Sequence, residues 1–216
     1  RKSELARACA TLGFGCVLSE EDGFSDISPA IRGVDKDGWD QKAERIKNLI
    51  VQIEPNAVFM PHAEDSHPRH IGTHLLGMDA LAKMPQDYMC HVALTEYWGP
   101  LKTPNAMIGI SERDVATLIS ALACHAGEVS RNAYDRRFPA YLIDAVRRGE
   151  WLEGQGKAAP SADFGRLLQL GERRQHVADA SGGEIRLRAG QQVQHVCELG
   201  DHEEFRADDP RRASLP

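Results

Sequence analysis

Several features that would assign this 216-residue chain to a class are missing. No apolar run approaches the roughly 20 residues that cross a bilayer, and no block of lysine or arginine occurs. With a formal net charge of -6 and a pI near 5.9, the chain has no basic footprint for nucleic acid or for an anionic membrane surface. The five cysteines, Cys9, Cys16, Cys90, Cys124 and Cys197, are odd in number and form no C-x-x-C pair, which argues against a disulfide framework or a zinc knuckle. Reduced thiols in a cytoplasmic protein are expected instead. There is no internal repeat, and the sequence opens Arg1-Lys2-Ser3 without an initiator Met. A small-molecule partner fits this composition, which leaves assembly into a homo-oligomer open.

At 216 residues and 42% hydrophobic content, the chain can build one sizeable core. Ser3 to Leu12 reads as a helix that stops at Gly13, with Ser3 as N-cap and Leu5, Ala8, Cys9 and Leu12 on one face. Phe14 to Leu18 reads as a strand, and Ser19 to Asp26 as an acidic turn. From Trp39 to Ile53 the apolar residues Trp39, Ala43, Ile46, Leu49, Ile50 and Ile53 follow helical spacing, and Glu54-Pro55-Asn56 ends that helix. Ala57 to Met60 is a short apolar strand, Leu75 to Leu81 is apolar at helical spacing, and His91 to Trp98 and Met107 to Ile110 are further strands. Ser111, with Asp114 three residues on, caps a helix running to about Glu128. Phe138 to Trp151 and Phe164 to Val177 read as helices. Residues 184–188 and 192–197 alternate polar with apolar around Ala189-Gly190-Gln191, as a hairpin does. Alternating strands and helices predict an α/β fold: a Rossmann-like, doubly wound, mostly parallel sheet with helices on both faces, and an irregular C-terminal extension.

The chemistry concentrates between Pro61 and His74. Four of the nine histidines, His62, His67, His70 and His74, fall there, between a strand end and a helix start. That is where open α/β sheets place their ligands. If Pro68 occupies the first helical turn, His67 and His70 lie about 60° apart around the axis and His74 about 40° from His70, so three imidazoles can face one cavity. Imidazole is a common zinc ligand, and a carboxylate such as Asp65 either completes a shell or orients a histidine. His62 reads equally well as structural. His176, His195 and His202 read as surface residues. A second cluster, Cys124 to Asn132, places His125 and Glu128 at a helix end, where they can cap and pair or contribute to the site.

Asp65-Ser66-His67-Pro68-Arg69-His70 resembles the second motif, D-x-H-P-D-H, of the PIG-L/LmbE family of zinc-dependent N-deacetylases. Arg1 to Leu12 is similar to that family's R-x-x-E-x-x-x-A-x-x-L-G helix, with Arg1, Glu4, Ala8, Leu12 and Gly13 in register. Leu118 to Glu128 resembles its A-x-x-x-H-x-S-Q helix, with His125 at the histidine. The resemblance covers residue 1 to about 150. It implies a deacetylase-like domain over 1–160, a helix and hairpin extension over 161–200, and a frayed tail over 201–216.

The resemblance also implies a mechanism. A zinc ion polarises an acetamide carbonyl and acidifies a water, a carboxylate takes that water's proton, and a histidine stabilises the oxyanion or protonates the amine. His70 matches the metal ligand, His67 the oxyanion or acid histidine, and Asp65 the Asp beside them. Asp22, Arg1, His74 and His125 are candidate substrate contacts. No H-P-D-D-E first motif occurs in the 216 residues. On the family's layout it would precede Arg1, which leads to the expectation of a chain missing its N-terminal βαβ segment, or else of an inactive relative. Arg69 replaces an Asp, and a cation there disfavours an imidazolium at His67. The reading is a metal-dependent amidohydrolase removing an N-acetyl group from a small glucosamine-type substrate. The alternatives are a non-catalytic carbohydrate- or nucleotide-binding module on the same sheet, and a loop holding a structural metal.

Overall fold

A computed structural model of the chain describes residues 2–17, 24–154, 160–173 and 196–198. Helix α1 (Lys2–Thr11) is followed by Gly13 at φ 69°, as the stop signal predicts, with Ser3 inside the helix. Phe14 to Val17 is not a strand but an exposed irregular segment that pairs with no strand among the described residues. Two helices follow. Helix α2 (Pro29–Val34) is capped by Ser28, and α3 (Lys36–Ile53) is capped by Asp35 and buries Trp39, Ala43 and Ile50 at the predicted spacing.

Strand β1 (Ala57–Pro61) leads through the histidine loop into α4 (Pro68–Ala82), which Pro68 opens at N1 with His67 as N-cap. Next come β2 (His91–Thr95) and β3 (Ala106–Ile110). Ser111 caps α5 (Glu112–Ala123) by accepting the Asp114 N–H, and a short α6 (Ala126–Val129) ends what the sequence suggested was one helix. Helix α7 (Tyr134–Gly154) then runs to β4 (Phe164–Glu172) and β5 (Val196–Glu198).

The sheet order is β1-β2-β4-β3-β5. β1 and β2 are parallel, as are β3 and β5, but β4 runs antiparallel to both of its neighbours. The architecture is α/β as expected, with mixed rather than mostly parallel strands. The difference comes from Phe164 to Glu172, read as a helix on the spacing of Phe164, Leu167 and Leu168. Gly165 and Gly171 weaken a helix there, and the slot between β2 and β3 buries Leu167 and Leu168 almost completely.

Residue pairing puts Met60, Leu94, Leu167 and Met107 on one sheet face. At one end α3 and α4 pack on it through Ile50, Met78 and Leu81, and at the other α7 packs through Ala145, Val146 and Leu152. Helix α7 comes close because a Cβ at Gly149 would lie 2.7 Å from Met107 Sδ, and one at Gly165 3.0 Å from Val146 Cγ2. Among the described residues, no helix is long and apolar enough to cross a membrane. Apart from 196–198, the hairpin expected over 184–197 lies outside the described residues, as do Arg1, Asp22, His176, His195 and His202.

Candidate active site

The histidine loop leaves the C-terminal end of β1, and the segment Glu96 to Asn105 leaves that of β2. These strands are parallel neighbours, so both loops emerge on the same edge, where a ligand crevice is expected. Asp65 joins them. Its side chain is fully buried, and its oxygens accept four hydrogen bonds. Oδ1 takes the His67 N–H at 2.9 Å and His70 Nδ1 at 3.0 Å. Oδ2 takes the Trp98 N–H at 2.9 Å and the Gly99 N–H at 3.2 Å. Burial opposes the charged form, but the N–H groups of His67, Trp98 and Gly99, with His70, hold the carboxyl below its usual range.

The bonds at Asp65 set the state of the rings beside it. An ionised carboxylate accepts, so His70 Nδ1 donates and, in the neutral ring, Nε2 keeps the lone pair. His67 is the opposite case, because its Nδ1 accepts the Arg69 backbone N–H at 3.2 Å, which leaves the ring proton on Nε2. The two ring centroids are 4.9 Å apart. One imidazole therefore offers a lone pair and its neighbour an N–H. Arg69 itself is exposed, and what it presents to His67 is its backbone N–H.

The other predicted histidines are placed differently. His74 is buried, and its Nδ1 lies 2.9 Å from the Pro61 carbonyl, tying α4 to β1. Ring contact pairs His67 with His70, while the bond described for His74 runs to the strand. Four residues rotate the helix by about 40° but also advance it by about 6 Å, so the ring of His74 starts one turn further along α4 than that of His70. His62 is structural: its buried ring donates from Nε2 to the Gly99 carbonyl at 2.9 Å. His125 sits at the N-cap of α6 without capping it, and no described hydrogen bond or ring contact connects it with His67 or His70.

Sequence reasoning missed the β2 side of the site. Tyr97 lies tilted beside His70, with centroids 5.2 Å apart, and Trp98 lies 6.1 Å from His67 and edge-on to Tyr134 at 6.2 Å. Behind them, buried Glu96 takes Arg148 at 2.7 and 2.6 Å and the Leu101 N–H at 2.7 Å. Reading His91 to Trp98 as a single strand hid these residues. Ending the strand at Thr95, ahead of Gly99-Pro100, would have placed Tyr97 and Trp98 on a loop beside the histidines.

His70 suits a metal: Asp65 holds its Nδ1–H and so leaves the Nε2 lone pair free to point at an ion, as carboxylates commonly do for metal-binding histidines. Among the described residues, no group of three His, Cys, Asp or Glu converges as a cage. His70 is the ring whose orientation is set for binding an ion.

No family model matches the sequence, and no curated protein matches it. Solved structures do match. The N,N'-diacetylchitobiose deacetylase from Pyrococcus horikoshii superposes with a TM-score of 0.57 at 18% identity, over 81% of this chain and 64% of its own. Teicoplanin deacetylase Orf2, solved in a zinc-inhibited form, gives 0.51 at 16% identity, over 79% of this chain and 73% of its own. The chain shares the fold of these two deacetylases. GalB, the 4-carboxy-2-hydroxymuconate hydratase from Pseudomonas putida KT2440, shares it too, at 0.53 and 16% identity over 79% and 70%. One architecture thus carries two kinds of reaction.

Proposed function

We propose that the chain belongs to the PIG-L/LmbE family and acts as a metal-dependent amidohydrolase releasing acetate from an N-acetylated, sugar-type small molecule. One observation carries the reading: His70 presents an oriented lone pair 4.9 Å, ring to ring, from a His67 that presents an N–H. An acetamide needs those two services side by side. The fold similarity to deacetylases acting on other substrates supports the same reading.

His70 would hold the metal, zinc by the family resemblance, and when bound the metal polarises the amide carbonyl and acidifies water. His67 donates its Nε2–H to the amide oxygen as that oxygen gains charge. Asp65 holds His70 in one tautomer and one orientation. Both of its oxygens are already doubly bonded to donors, so it orients and does not carry a proton. Arg1, Asp22 and His125 enter as substrate contacts on the sequence resemblance.

The test is acetate release from N-acetylglucosamine derivatives, with and without chelator, in the native sequence and in His70→Ala. Release that ignores both chelation and the substitution would sink the proposal. A sugar- or nucleotide-binding module on the same fold is the rival, favoured by the lack of a three-residue metal cluster among the described residues. It predicts ligand affinity with no acetate formed under any metal supplementation.

A further inference from the structure

We infer that Trp98 is the stacking platform that seats the pyranose ring of a gluco-configured substrate beside the histidine pair, an inference that rests on the sugar-type reading above. Large aromatic side chains are costly to leave in water, yet Tyr97 and Trp98, consecutive in sequence, are 59% and 61% exposed. Loose packing does not explain this, because the backbone beneath them is held on several sides. The Trp98 and Gly99 N–H groups go to Asp65, the Gly99 carbonyl to His62, and the Leu101 N–H to Glu96. The ring itself is steadied edge-on by Tyr134, at 83° between planes. The backbone that carries the indole is thus set before any ligand arrives and Tyr134 flanks the ring, which removes part of the ordering cost of binding.

The position suits the chemistry. Trp98 lies 6.1 Å from His67, with 32° between the ring planes. A ring stacked on the indole would sit beside His67, and an acetamido substituent reaching roughly 4 Å from it, about three bonds, would arrive at the histidine pair. A pyranose with equatorial hydroxyls presents faces of axial C–H groups, which pack on an aromatic surface while the hydroxyls stay at the rim. An axial hydroxyl, as in the galacto epimer, breaks one such face. Planar bases also stack on indole, but the net charge of -6 gives no attraction for a phosphate-bearing partner.

The experiment uses the full chain and saturation-transfer NMR titrations with four probes: methyl N-acetyl-β-glucosaminide, its galacto epimer, the acyclic N-acetylethanolamine, and uridine. Trp98→Phe and Trp98→Leu are compared with the native sequence, with a thermal melt for each. The glucosaminide is expected to bind tightest, and Trp98→Leu to weaken it about tenfold while leaving the acyclic amide and the melting temperature unchanged. Trp98→Phe should recover most of the affinity. The inference is overturned if both variants bind the glucosaminide like the native chain, if uridine binds more tightly, or if no sugar binds. Acetate release is read separately. Sugar affinity that depends on Trp98 without any acetate leaves the platform standing and removes the hydrolase. Equal release from cyclic and acyclic amides in all variants does the reverse.

Discussion

Asp65 and Glu96 are buried carboxylates at the ends of adjacent parallel strands, and their charges are satisfied in different ways. Glu96 faces a cation: Arg148 grips it bidentately and is itself held by Asp144 at 2.8 Å, and Arg166 adds a bond to the Glu96 carbonyl. Glu96 and Asp144 together push the Arg148 guanidinium further toward its charged form. Among the described residues, Asp65 has no Lys or Arg bonded to it. Three backbone N–H groups and one imidazole hold it, so its charge is stabilised by dipoles and not cancelled. A cancelled charge braces the fold, whereas an uncancelled one also biases its neighbour, here His70. On the proposed function, the Glu96 cluster supports the fold and the Asp65 cluster serves the chemistry.

The largest expected effect is at Asp65. Asp65→Asn turns one acceptor into a donor facing N–H groups, costing about 3 kcal/mol in denaturant unfolding and about 100-fold in acetate release. Acid should remove the same advantage. A depressed carboxyl contributes stability that is fully present above its unfolded value near ~4 and is lost as pH falls through the lower folded value. The stability gap between the native chain and Asp65→Asn should therefore close as pH drops below ~4, and a gap that widened there would contradict the account. Arg148→Met comes next, stranding a buried carboxylate at about 2–3 kcal/mol. Activity per folded molecule should survive it, and a loss matching that of Asp65→Asn would erase the distinction between the two carboxylates.

Gly99→Ala probes the seam between the loops. A Cβ there would lie 3.2 Å from Asp65 Cα and the Glu64 carbonyl oxygen, so a cost of about 1–2 kcal/mol is expected. The smallest effect belongs to Lys102→Ala. Its bond to Glu64 is 2.8 Å long, but the side chains are 74% and 55% exposed, so a change within about 0.5 kcal/mol is expected by thermal melt.

Much of this was legible in the sequence where local signals and tertiary demand agree. Pro68 fixed the start of α4, Ser111 that of α5, and the apolar spacing of Trp39, Ala43 and Ile50 the buried face of α3. The pairing of His67 with His70 followed from their angular separation. For His74 the wheel gives an angle but not a partner: its bond to the Pro61 carbonyl depends on the strand that precedes the loop. Strand β4 shows where periodicity fails: Leu167 and Leu168 are buried on opposite faces of a central strand, a pattern that also satisfies helical spacing. The role of Asp65 as a hub was illegible because two of its donors, Trp98 and Gly99, lie more than 30 residues away.

The strand order also constrains how the molecule comes to exist. β2 and β3 never touch, since the gap between them waits for residues 164–172, synthesised some 50 residues after β3 is complete. On a ribosome adding about 5–20 residues per second, both strands leave the tunnel with bare hydrogen-bonding edges and stay so for several seconds. Chaperone dependence during translation, and clumping when expression outruns it, are the natural cost of a keystone delivered late.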